Sequence, residues 1–94
     1  MSEVVLLHSA QADLLEIYST YGEYWYLEVD KTLGKLKNDP GLGSPYHEEY
    51  RRKLVLNSPF GIFYTEVGDR VMVAFVLDLR QDLDAILRRL RAKS

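Results

Sequence analysis

Two apolar stretches, residues 60–67 and 71–77, are separated by Gly68-Asp69 and constrain the fold of this chain most tightly. The Gly-Asp pair between β-rich runs marks a tight hairpin. Val71–Leu77 is continuously apolar, so a strand there must be covered on both faces. Phe60–Val67 places Phe60, Ile62 and Tyr64 on one face and Phe63 and Val67 on the other, as a central strand does. Upstream, Tyr50–Leu56 alternates Arg52, Leu54 and Leu56 against Arg51, Lys53 and Val55, and Asn57-Ser58-Pro59 turns the chain into the second strand. Pro59 stands at a strand entrance, where its missing N–H does least harm. Tyr50–Leu79 therefore reads as a buried three-stranded antiparallel meander.

The first half is different. Val4–His8 reads as a short strand that needs a sheet edge. Ser9 reads as an N-cap, because its hydroxyl is placed to accept an unpaired N–H of the first helical turn. Ala10, Leu14, Ile17, Tyr18 and Tyr21 then recur at helical spacing. Beyond Gly22, Tyr26, Val29, Leu33 and Leu36 form a second stripe with Trp25 beside it, and so short a link makes the two helices antiparallel neighbours. Gly34 inside that helix costs about 1 kcal/mol relative to Ala, and a close helix crossing is the expected reason. Asn38–Pro45 is rich in Pro, Gly, Asn and Asp and reads as a loop. Leu83, Ile86, Leu87 and Leu90 describe a C-terminal amphipathic helix whose last turns carry Arg88, Arg89, Arg91 and Lys93, favourable at the negative end of its dipole. The expected order is β-α-α-β-β-β-α in one α+β domain, residues 1–94.

With 94 residues and no cysteine, the chain has no disulfide framework and no thiolate zinc site. Its longest apolar run is too short to span a membrane. Glu3 precedes only Val4–Leu7, which is no secretory signal, so the cytoplasm is the expected compartment. His8 and His47 are too far apart to suggest a metal site, and no serine sits in a nucleophile elbow. Glu48-Glu49 reads as a solvated turn. No catalytic residue, metal or cofactor is expected. Charge is unevenly spread: residues 1–50 carry nine acidic and three basic side chains (net −6), and residues 51–94 carry nine basic and five acidic (net +4). Arg51, Arg52 and Lys53 on the first meander strand and Arg80 past the last are candidates for a cationic patch that holds phosphate or carboxylate groups, with Arg88, Arg89 and Arg91 nearby. A solubilising rim is the equally weighted alternative. Tyr18, Tyr21, Trp25 and Tyr26 read as hairpin core, and Tyr64 as structural.

Several strings resemble the RelE/ParE superfamily of type II toxins, most closely its ParE-like branch. Ser9-Ala10-Gln11-Ala12-Asp13-Leu14-Leu15-Glu16-Ile17-Tyr18 is similar to the family's A-x-x-D-L-x-x-I helix, and Leu36–Pro40 with Gly43 to its L-x-x-x-P-x-x-G closure. Arg51-Arg52, Ser58-Pro59-Phe60-Gly61-Ile62-Phe63-Tyr64 and Val73-Ala74-Phe75-Val76-Leu77 resemble its sheet. The resemblance implies a cognate antitoxin that wraps and silences the protein, and a homodimer or a hetero-oligomer with that antitoxin. Tyr18, Trp25, Phe60, Phe63 and Arg88 are its candidate antitoxin contacts, with Arg51, Arg52 and Arg80 pairing with acidic antitoxin residues. It also implies either inhibition of DNA gyrase or, in the RelE-like branch, cleavage of messenger RNA on the ribosome. The nuclease branch carries a middle-strand arginine and a C-terminal Tyr or His. Here the middle-strand position is Gly61 and no Tyr or His follows Arg80, which makes gyrase inhibition the favoured expectation. The ParE-like branch ends its last strand in His, a basic pair, Asp and Pro. In Asp78-Leu79-Arg80-Gln81-Asp82-Leu83 only Arg80 and Asp82 match.

Overall fold

A computed structural model describes residues 2–93, apart from the side chains of Leu83 and Lys93. Strand β1 (Glu3–Leu6) leads into helices α1 (His8–Tyr21) and α2 (Glu23–Asn38), and a single 3-10 turn (Pro40–Leu42) precedes strands β2 (Ser44–His47), β3 (Tyr50–Leu54), β4 (Phe60–Val67) and β5 (Arg70–Asp78). Helix α3 (Leu83–Lys93) closes the chain. The five strands form one sheet in the order β1-β5-β4-β3-β2. The predicted meander is its centre, and β1 joins the outer edge of β5 in parallel.

Two cores follow from the alternation of β4 and β5. Ile62, Tyr64, Val71, Val73 and Val76 face the helical hairpin and pack with Ala10, Ile17, Val29 and Leu36. Phe63, Phe75 and Leu77 face the other way and pack with Ile86 and Leu90 of α3. A register shift between Phe63 and Tyr64 lets one extra residue into β5, which re-phases the strand between its two faces. Leu83, assigned to the α3 stripe by spacing, lies outside the described side chains.

Four expectations are corrected. The loop assigned to Asn38–Pro45 yields a fifth strand, β2, whose Pro45 is tolerated because β2 is an edge, with an irregularity between Pro45 and His47. Ser9 is no N-cap: α1 begins at His8, one residue earlier, and the Ser9 hydroxyl donates to the Ala74 carbonyl of β5. Tyr18 and Tyr21 are exposed rather than core, because the hairpin turns that flank of α1 to solvent. Gly34 makes no close crossing: it is exposed, and a Cβ there would meet nothing within 4 Å. Gly34→Ala should therefore stabilise the protein by roughly 0.5–1 kcal/mol, read as a raised melting temperature. An unchanged or lowered value would show that the glycine serves some other purpose.

Candidate functional site

The β3 cations are divided by the pleat of the strand. Arg51 lies opposite Tyr64 and Lys53 opposite Ile62, on the hairpin face, whereas Arg52 lies opposite Phe63 on the α3 face. Arg51 Nη1 donates to the Gly43 carbonyl at 2.8 Å, so it braces a loop. The Arg52 guanidinium sits 4.9 Å over the Tyr46 ring, and Tyr46 packs edge-on against Phe63. No ion pair involves Lys53 among the described residues. Arg80 stands apart from these three, beyond the end of β5. Its Nε donates to Asp78 Oδ1 at 3.0 Å and its Nη2 to Oδ2 at 2.7 Å. These bonds hold the Asp78 carboxyl below the ordinary carboxylate range, with the Tyr21 hydroxyl adding to the effect. The expected single cationic patch is thus not assembled. Arg88 is exposed on α3.

The aromatic candidates separate as sharply. Phe60 and Phe63 are buried in the two cores and offer a partner no surface in this conformation. Trp25 is partly buried and touches Tyr21 and Phe60 at ring-centroid distances of 5.2 and 5.5 Å. Tyr18 is accessible, edge-on to Tyr26. With Leu6, Gln11, Leu14, Leu15 and Tyr26 it lines an open, largely apolar groove of about 370 Å³. Leu15 is 69% exposed and was not singled out by the sequence; the Leu14-Leu15 doublet, which widens the apolar stripe past what one core needs, was the available signal.

The groove runs along an open strand edge. β1 pairs with β5 on one side only, through bonds such as Glu3 N–H to Asp69 O and Leu7 N–H to Val73 O. On its other side the Leu6 carbonyl accepts from Gln11 Nε2. The opposite edge, β2, is blunted by Pro45, its irregular register and the left-handed Glu48 (φ 52°). Among the described residues, an unpaired strand edge and an apolar wall meet at β1.

Where β1 ends, α1 takes over the edge of β5. After the Ser9–Ala74 bond, Asp13 Oδ2 accepts the Val76 N–H at 3.1 Å, and Asp13 Oδ1 receives Arg89 Nη1 from α3 at 3.2 Å. Arg89 also lies 4.5 Å over the Phe75 ring. Burial raises the Asp13 carboxyl above its ordinary value, against the lowering by Val76 and Arg89. This pair ties α3 to α1 across the sheet. Among the described residues no group of His, Asp and Glu is arranged to hold a metal ion, and no helix is long and apolar enough to cross a membrane.

A family model described as the ParE toxin of the type II toxin–antitoxin system parDE matches residues 4–83. Among solved structures, a chain from the chromosomal ParDE toxin–antitoxin system of P. aeruginosa is similar at 21% identity and a TM-score of 0.68, with 81% of this chain and 94% of that chain covered. That likeness shows the fold. No curated protein matches.

Proposed function

The chain belongs to the ParE toxin family of type II toxin–antitoxin systems, and from that premise we propose that it acts in the cytoplasm by binding: it inhibits DNA gyrase and is silenced by a cognate antitoxin seated in the α1–α2 groove. One observation carries the preference for binding over RNA cleavage. Gly61, at the position where the nuclease branch holds an arginine, is buried beneath Leu79, whose Cδ1 would lie 3.0 Å from a Cβ at that site. The position offers no side chain to hold phosphate, and one placed there would have to push the Leu79 side chain aside. Metal-free RNA cleavage needs activation of the 2′-OH, stabilisation of a crowded phosphate and a proton donor. Of the cations offered for that work, Arg51 is committed to the Gly43 carbonyl.

The groove supports the antitoxin half of the proposal. Leu15, Tyr18 and Tyr26 form an apolar wall beside the β1 edge, suited to a segment that adds a short strand and inserts side chains alongside. Leu15→Glu should weaken antitoxin binding by about 10–30-fold, as loss of an interface hot spot does, while its melting temperature stays at the wild-type value because Leu15 packs against little in the free chain. Undiminished affinity in a calorimetric titration would move the antitoxin to another surface. The function itself is tested by controlled expression in bacteria with and without the neighbouring small gene. Growth should stop without it and continue with it. Unimpeded growth under verified expression would mark the chain as a non-toxic interaction module of the same fold.

A further inference from the structure

The end of β5 carries an arrangement that the groove does not explain. Arg80 is 63% exposed at its side chain, whereas Asp78, which holds it, is 14% exposed. The carboxylate therefore lies behind and the guanidinium in front. The Arg80 backbone N–H also donates to Asp78 Oδ1 at 2.9 Å, so the acceptor is fixed by a local turn and needs no rearrangement to grip the side chain. Tyr21 lies against the pair and its ring meets Trp25 at a tilt and Phe60 edge-on. An exposed guanidinium beside an exposed tyrosine is the composition of an interface anchor. Asp78 and Tyr21 also line a cleft with Asp13, Glu16, Ile17 and Arg89, and none of its residues lines the α1–α2 groove. An antitoxin in the groove leaves Arg80 to a different partner.

We propose that the Asp78 carboxylate is a built-in competitor for Arg80: it occupies the guanidinium edge that would otherwise grip a carboxylate of the target protein, and so sets the potency of the toxin. This rests on the toxin reading given above. A target carboxylate must displace Asp78 or share Arg80 with it, and an exposed pair of this kind is weak enough to be displaced. The Arg80 edge that Asp78 fills through Nε and Nη2 already takes a carboxylate, the group a protein partner would present.

The test compares Asp78→Asn, Arg80→Ala and the double variant, read as the concentration of purified protein that half-inhibits gyrase supercoiling. Asn keeps the oxygen that accepts the Arg80 N–H and loses the charge. It should lower the half-inhibitory concentration about fivefold, the scale of one exposed ion pair. Arg80→Ala should raise that concentration, and adding Asp78→Asn to it should change nothing further. Asp78→Ser, a second way to remove the charge, should match Asn if Asn disturbs folding. Unchanged or weaker inhibition by both charge-free variants, or a gain that persists without Arg80, overturns the proposal. Wild-type protein that leaves gyrase untouched overturns the gyrase reading itself, and the inference with it.

Discussion

Gly43→Ala should lower the melting temperature more than any other single-methyl change in the chain. A Cβ at Gly43 would lie 2.6 Å from the Tyr64 hydroxyl, 2.8 Å from Cε1 and 3.0 Å from Cζ. Tyr64 has no freedom to yield. It is fully buried at the centre of the hairpin-side core. Its hydroxyl accepts the Gly43 N–H at 2.9 Å and donates to the Pro40 carbonyl at 2.6 Å. These contacts, with Arg51 on the Gly43 carbonyl, pin the segment between α2 and β2 onto the sheet. Overpacking together with loss of both hydroxyl bonds should cost about 3 kcal/mol, which for a domain of this size is a fall of roughly 12–24 °C. Tyr64→Phe removes the nearest atom but leaves the ring. The double variant should thus lose less than the sum of the two single losses, although the ring carbons still crowd the new methyl. A fall under about 3 °C would show that the segment shifts freely and that Tyr64 does not hold it.

Asp13→Ala should be the second large loss, at about 2–3 kcal/mol. It leaves the Val76 N–H facing a methyl group at a buried site and frees Arg89 from its anchor on α1. Arg89 is partly exposed and recovers some hydration, so Arg89→Ala should cost less than Asp13→Ala. Asp13→Asn keeps an acceptor for Val76 and should also cost less than Ala. Its pH behaviour separates it further. Burial raises the Asp13 carboxyl in the folded chain above the ordinary value of 3.8. Ionisation of this group therefore works against folding: its contribution is fully present below the unfolded value and is lost as pH rises through the folded one. Asp13→Asn should abolish that loss, and denaturant titrations across the acid range will show whether it does. Faster amide exchange in α3 of the Ala variant is the local sign of the broken tie; equal exchange would mean that Ile86 and Leu90 hold the helix unaided.

The meander was legible because each strand carries its own evidence: period-two alternation in 50–56, apolar side chains on both faces of 60–67, and a tight turn at Gly68. The helical hairpin was legible from its stripes. What stayed hidden depends on partners distant in the chain. Ser44-Pro45 reads as a turn by composition and becomes a strand only because β3 offers an edge to pair with. Ser9 reads as a helix start and Asp13 as one letter of the family string, but both serve as surrogate strand pairs for a β5 edge 63–65 residues away. Exposure misled in both directions. Phe60 and Phe63, contact candidates by resemblance although their strand reads as buried, are covered, whereas Tyr18 looked buried by its helical spacing and is open. The glycine of the L-x-x-x-P-x-x-G string gains its reason from the structure: Tyr64 fills the space a side chain would need. Arg80 was identified by position, but the Asp78 two residues before it, which changes what Arg80 offers, drew notice only as a departure from the family string.

The most direct measurement pairs two assays of the same protein: gyrase supercoiling with purified protein, and primer extension on cellular messages after induction. Binding without RNA chemistry predicts loss of supercoiling, its restoration by the cognate antitoxin, and intact messages at the onset of growth arrest. Arrest accompanied by codon-phased message cleavage, with gyrase unaffected, would contradict it.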